Sequence, residues 1–274
     1  MNINKLILLS SFIFIISSCD DISNQNIDVS GESIRDRITC PPGYSRKNYD
    51  ESSWQYFLQN LNLKPSGTKI LDFRGKPIYN QSSHVGIIDY DIGKKDLQQC
   101  ADAIIRLRAE YLYKQKAYSD IEFKFTSGHN YKWLDHAKGI RPKINGNNVT
   151  FVQNEKADAS YSNFRYYLDI IFTYAGTISL NRDLEKIPRN KNLEIGDIII
   201  KPGSPGHAVL IVDRVHDNKG NYLYLIAEGY TPAQSIHILK SGKRKISPWF
   251  KIDKKGAISS NRYFFSNPNI RRFN

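Results

Sequence analysis

The chain has 274 residues, of which 40% are hydrophobic and 12% aromatic, and its formal net charge is +12. That is the composition of an ordinary globular protein with room for a sizeable core, and no internal repeat or long low-complexity run interrupts it. The basic residues scatter, most densely at Lys240, Lys243, Arg244, Lys245, Lys251, Lys254 and Lys255. No nucleic-acid module accompanies them, so that class is set aside. The excess reads as a solvated surface or as attraction to anionic lipid or cell-wall polymer.

At the N-terminus a single Lys5 precedes an apolar run from Leu6 to Ile16 and then Ser17-Ser18-Cys19. One positive charge, a short apolar core and small residues before a cut describe a secretory signal over 1–18, too short for an ordinary membrane span. The tetrad Ile16-Ser17-Ser18-Cys19 resembles the lipobox of bacterial lipoproteins. That resemblance implies lipidation of Cys19 and a protein anchored by its N-terminal lipid to a membrane of the cell envelope, on the non-cytoplasmic side. Residues 19–34 then form a polar tether, and 35–274 a single domain.

Trp54, Phe57, Leu58 and Leu61 recur at helical spacing and predict a short helix over 51–61. Strands are expected over 70–73 and from His84 to Tyr90. A long helix follows over 96–113, with Asp96 as its cap and Gln99 as capping-box partner. Its apolar stripe is Leu97, Cys100, Ile104, Leu107 and Tyr111. Ile121, Phe123 and Phe125 alternate as a half-buried strand, 129–141 reads as helix and loop, and 145–148 is a turn. A second strong helix over 161–175 turns Phe164, Tyr167, Leu168, Ile171 and Phe172 inward and stops near Gly176.

The remainder is nearly all strand: 198–201, 207–212, 222–227 and 236–239. Pro202, Gly203, Ser204, Pro205 and Gly206 join the first two as a hairpin, since prolines preset φ and glycines permit φ > 0. Helices first and a meander later predict an α+β fold, with helices packed on an antiparallel sheet.

His207 is the one polar side chain in its apolar strand and stands at that strand's head, a place suited to a general base. Equally, it fits a structural residue at a strand end. Cys100 lies in the first turns of the long helix, where the N-terminal dipole favours thiolate, the nucleophilic form. Its place on the apolar stripe also fits a buried thiol, and export permits a Cys40–Cys100 disulfide. Glu228, at the end of the strand after His207, is placed to orient an imidazole. Gln234 is a substitute orienter or an oxyanion donor, and Tyr90 is a second candidate for the same cleft. His129 and His136 lack metal-ligand spacing and the 203–206 turn lacks a phosphate-loop signature, so no metal or other cofactor is implied. Nothing sets an oligomeric state.

The order cysteine at a helix start, histidine at a strand start, polar residue at the next strand's end is similar to the papain-like superfamily, particularly bacterial cell-wall cysteine peptidases and amidases. Gly196-Asp197 and Gly206-His207-Ala208-Val209 match the element that carries the base there. Longer strings, among them 96–112, 174–180, 205–208 and 231–237, resemble a family of bacterial lipoproteins known as domain of unknown function 4846. The first resemblance implies a papain-like architecture and a hydrolase or amidase acting on cell-wall peptide or a related acyl substrate; the second implies an envelope lipoprotein and no particular activity. A non-catalytic binding module on the same fold is the alternative.

Overall fold

The apolar runs of the second half determine the architecture. Ile198-Ile199-Ile200 and Ala208-Val209-Leu210-Ile211-Val212 lack the alternation of a half-exposed strand, and all eight side chains are buried. A strand reads this way when both faces of its sheet are covered. On one face, Ile198, Ile200, Ala208, Leu210 and Val212 join a core with Ile104, Leu107, Phe164 and Leu168. On the other, Ile199, Val209 and Ile211 meet Phe250, Ile258, Phe265 and Ile270. Helices cover the first face and the C-terminal segment covers the second.

The computed structural model describes residues 26–188, 190–243, 245–252, 257–260 and 262–274. Along the chain come α1 (Ile34–Arg37), β1 (Tyr44–Arg46), α2 (Trp54–Gln59), β2 (His84–Ile87), α3 (Cys100–Lys114), β3 (Glu122–Lys124) and β4 (Asn130–Lys132). Next are α4 (Trp133–Ala137), β5 (Ile140–Asn145), β6 (Asn148–Gln153), α5 (Tyr161–Tyr174), α6 (Thr177–Asp183) and β7 (Glu185–Lys186). The strands β8 (Ile198–Lys201), β9 (His207–Asp217), β10 (Tyr222–Glu228), β11 (His237–Leu239), β12 (Ile258–Ser259), β13 (Phe264–Phe265) and β14 (Asn269–Arg272) complete it. Among the described residues, eight strands form one antiparallel sheet in the order β2-β11-β10-β9-β8-β14-β7, with β1 beside β9. Helices α2 and α3 pack on β9. The fold is α+β, as the order of elements predicts.

The signal, Cys19 and the start of the tether lie outside the described residues, as do Arg244, Lys254 and Lys255 of the late basic group. Residues 26–34, assigned to the tether by their polarity, pack on the domain: Ile34 is fully buried, and Asn26 donates from Nδ2 to the Ser247 carbonyl at 2.9 Å. The strand expected over 70–73 is reduced to isolated bridges, Leu71 with Pro77 and Asp72 with Gln234. Helix α6 and the strands β1 and β14 have no counterpart in the sequence reading.

Gly196 opens the central hairpin at φ +95°, with the Trp54 indole only 2.6 Å from where a Cβ would stand. Next to it, buried Asp197 accepts from Arg272 Nε at 2.6 Å and Nη2 at 2.9 Å. This fork ties β8 to the C-terminal strand β14.

Candidate active site

Three elements bring their ends together at one end of the central strands β9 and β10. The 202–206 turn closes on the pair Lys201–His207, which fixes His207 as the first residue of β9. Thr177, at the start of α6, exchanges hydrogen bonds of 3.3 Å with the Gly203 N–H and carbonyl and so pins this turn. A Cβ on Gly206 would stand 2.5 Å from Thr177 Oγ1, so the residue before His207 has to be glycine for this approach.

Helix α3 begins later than its apolar stripe suggests. Gln99 is the N-cap, and Asp102 Oδ2 accepts the Gln99 N–H at 3.0 Å. The acidic partner three residues on is the capping-box pattern, shifted from the expected Asp96–Gln99 pair. Asp96 instead accepts the Ala233 N–H at 2.6 Å and Gln99 Nε2 at 3.1 Å, while Thr231 donates to Gln99 Oε1 at 3.1 Å. Cys100 is therefore the first residue of its helix, where the backbone dipoles favour an anion most. The helix start is also held against the loop that leaves β10. Gly229 lies in that contact: a Cβ there would be 2.7 Å from the Gln99 carbonyl oxygen and 2.8 Å from Ala103 Cβ.

His207 Nε2 lies 3.1 Å from Glu228 Oε2. Cys100, at the head of α3, is the other neighbour that favours the charged form of this ring. His207 is 3% exposed, with the rings of Tyr230 at 5.1 Å, Tyr263 at 4.7 Å and Phe265 at 5.6 Å from its own, centroid to centroid. Burial works against its charge, but Cys100 and Glu228 more than offset this and raise its pKa to about 9. Glu228 is 1% exposed; burial would raise its pKa, yet His207 and His237 bring it down to about 2. Burial pushes the Asp102 carboxyl well above the usual carboxylate range, against the pull of the Gln99 N–H that it accepts. A cavity of about 470 Å³ opens at Cys100, lined also by Gln99, Asp102, Thr177, Gly206 and Thr231.

Cys100 and Cys40 are both free thiols, so the disulfide alternative is not formed; Cys40 instead lies 3.7 Å from Arg46 Nη1. Gln234 does not reach the imidazole: its Nε2 donates to the Pro232 carbonyl at 3.0 Å, and its Oε1 accepts from Arg262 Nη1 at 3.0 Å. Tyr90 stacks under the Arg106 guanidinium at 5.1 Å and lines a different cavity from the one at Cys100.

The family model described as domain of unknown function (4846) matches residues 34–272. This chain belongs to that family. No curated protein and no solved structure matches it. The match takes in α1, all eight strands of the sheet and each residue of the Cys100–His207–Glu228 group, so the group lies wholly inside the DUF4846 domain.

Sequence reasoning missed two polar residues of this DUF4846 site. His237 heads β11 directly opposite Glu228, with its Nε2 3.3 Å from Glu228 Oε1. The strand expected over 236–239 places His237 second, so the strand-head signal that singles out His207 does not reach it. Arg262, whose Nη1 is 3.7 Å from Glu228 Oε1, comes from the loop between β12 and β13 and gives no such signal.

Proposed function

We propose that this chain is a papain-like cysteine hydrolase or amidase, anchored to an envelope membrane through lipid on Cys19 and acting on cell-wall peptide or a related acyl substrate. The observation that carries this reading is His207 held at Nε2 by the buried Glu228 carboxylate, with the Cys100 thiol at the head of α3 among the groups that favour its charged form. Cys100 heads its helix, so its own backbone N–H and that of Ala101 have no intrahelical acceptor and face the place where an oxyanion would form.

In this mechanism the proton of Cys100 passes to His207, and the thiolate attacks the scissile carbonyl carbon. The oxyanion of the tetrahedral adduct takes the helix-start N–H groups. Collapse breaks the carbon–nitrogen bond as His207 protonates the departing amine, leaving a thioester on Cys100. Water, deprotonated by His207, then hydrolyses the thioester and restores the thiol. Glu228 stays ionised throughout and holds the imidazole in one orientation. Envelope localisation and the cell-wall substrate rest on the signal, the lipobox and the basic charge.

The test is incubation of the detergent-extracted full-length protein with cell-wall muropeptides and simple acyl esters, followed by mass spectrometry. Cleaved products gaining one water in total are expected, absent with Cys100→Ser. Substrates that stay intact while the wild type still binds them would replace hydrolysis with the binding-module reading.

A further inference from the structure

Glu228 has two oxygens, and His207 uses one. The other, Oε1, is buried without an aligned hydrogen bond, and so is His237 Nε2, which stands 3.3 Å away. Two buried orphan atoms facing each other at that distance are each other's natural partner. The ring's remaining nitrogen sets the sign of the contact. His237 Nδ1 lies 2.9 Å from the Ser235 carbonyl oxygen, which can only accept, so Nδ1 carries a proton. An ionised carboxylate also only accepts, so Nε2 must carry a second proton for the contact to be attractive.

Resting on the Cys100–His207 reading above, we propose that His237 is a further positioning residue of this site, a doubly protonated ring that clamps the free oxygen of Glu228. The groups facing it bear this out by their placement. Glu228 comes from β10, directly opposite in the strand register. His84 comes from β2, its ring 6.1 Å from that of His237 and edge-on to it. Burial, then the neighbouring His237 and Arg262, push His84 down to about 4, so it stays neutral and does not compete for the carboxylate. Arg262 approaches the same oxygen but stops at 3.7 Å, its guanidinium engaged with Gln234 and lying over the Tyr230 ring at 5.0 Å. His207 holds the other oxygen.

A carboxylate held at both oxygens cannot rotate away when His207 passes its proton on. His237 touches neither substrate nor nucleophile and acts only through Glu228.

Two near-isosteric variants separate this role from packing. In His237→Asn the amide nitrogen stands where Nδ1 stood, so the Ser235 bond survives and the Glu228 contact is lost. In His237→Gln the amide nitrogen reaches the position of Nε2 and still donates to Glu228. The readout is the pH profile of Cys100 alkylation by iodoacetamide in the full-length protein, followed at the Cys100 peptide by mass spectrometry. Asn is expected to move the acid limb up by about one pH unit, a tenfold loss of rate on that limb, whereas Gln stays within about threefold of wild type. An unchanged profile in Asn, or a Gln profile displaced as far as Asn, overturns the role of His237 while leaving the Cys100–His207 pair standing. A wild-type profile like that of an ordinary thiol removes the pair and this role together. A second measurement needs no variant: nitrogen NMR of the wild-type His237 ring at pH 6 should find both nitrogens protonated. A ring protonated at Nδ1 alone contradicts the proposal.

Discussion

His207→Ala is expected to cut the alkylation rate of Cys100 at pH 5 by at least about tenfold and to change the shape of its pH profile. An unassisted thiol with an ordinary pKa near 8.5 is only about 0.03% ionised at pH 5. In the proposed pair His207 takes the thiol proton, so alkylation of Cys100 should persist at a pH where an unassisted thiol has stopped reacting. A stabilised thiolate is intrinsically less nucleophilic than a free one, which gives back part of that advantage. The shape is therefore the firmer readout. Wild type should hold a reactivity plateau into the acid range, and His207→Ala should follow a single rise near the ordinary thiol pKa. A plateau in both proteins would mean that the helix N-terminus alone activates Cys100. A plateau in neither would leave Cys100 as a half-buried thiol beside a structural histidine.

Gly229→Ala should have the next largest effect, although Gly229 carries no chemistry. A methyl group there would stand 2.7 Å from the backbone oxygen of Gln99. That oxygen belongs to the N-cap of α3 and already accepts the Ala103 N–H at 2.9 Å, so it cannot yield as a flexible side chain would. The helix start must move away from the end of β10, and Cys100 moves with it while His207 and Glu228 stay on the sheet. Overpacking of this kind costs about 1–3 kcal/mol. A lower melting temperature is expected together with a Cys100 alkylation profile close to that of His207→Ala. Retention of the acid plateau in a folded Gly229→Ala protein would show that the pair does not depend on this close approach.

The parts of the fold legible in the sequence are those with a local physical cause. The prolines and glycines of 202–206 can only turn, so the facing ends of β8 and β9 fall at the expected residues, Lys201 and His207. The inward stripe of α5 is periodic, and all five of its expected residues are buried. Helix α3 illustrates the limit. Its apolar stripe extends back to Leu97, but the chain becomes helical only at Cys100, because Asp96 is drawn off to the Ala233 N–H across the fold. A long-range bond decided that boundary, and periodicity does not see such bonds. Likewise, β14 owes its place to pairing with β8 and to the Arg272–Asp197 fork, neither of which is a local property.

The candidate site divides the same way. Cys100, His207 and Glu228 each sit at the end of a recognisable element, and the strand order β11-β10-β9 gathers the ends that carry Glu228 and His207. His237 lies one residue inside the strand expected over 236–239, and nothing in the sequence says that β11 pairs with β10. Arg262 and Gly229 act through contacts between distant segments. Gln234, singled out for its position after Pro232, is engaged by Arg262 instead of the imidazole.

In the proposed site His207 carries a proton donated by Cys100 and held by Glu228. A pKa raised from the ordinary 6.5 to about 9 means that the imidazolium persists through neutral pH and is lost only as the pH rises through about 9. Nitrogen-detected NMR titration of the His207 ring, in the wild type and in Cys100→Ala, measures this directly. The wild-type ring should remain doubly protonated at pH 7.5, and its titration should move to lower pH in Cys100→Ala, where the thiolate's share of the stabilisation is gone. A His207 ring that is neutral at pH 7.5 in the wild type, or one that titrates identically in both proteins, would mean that Cys100 and His207 do not share a proton.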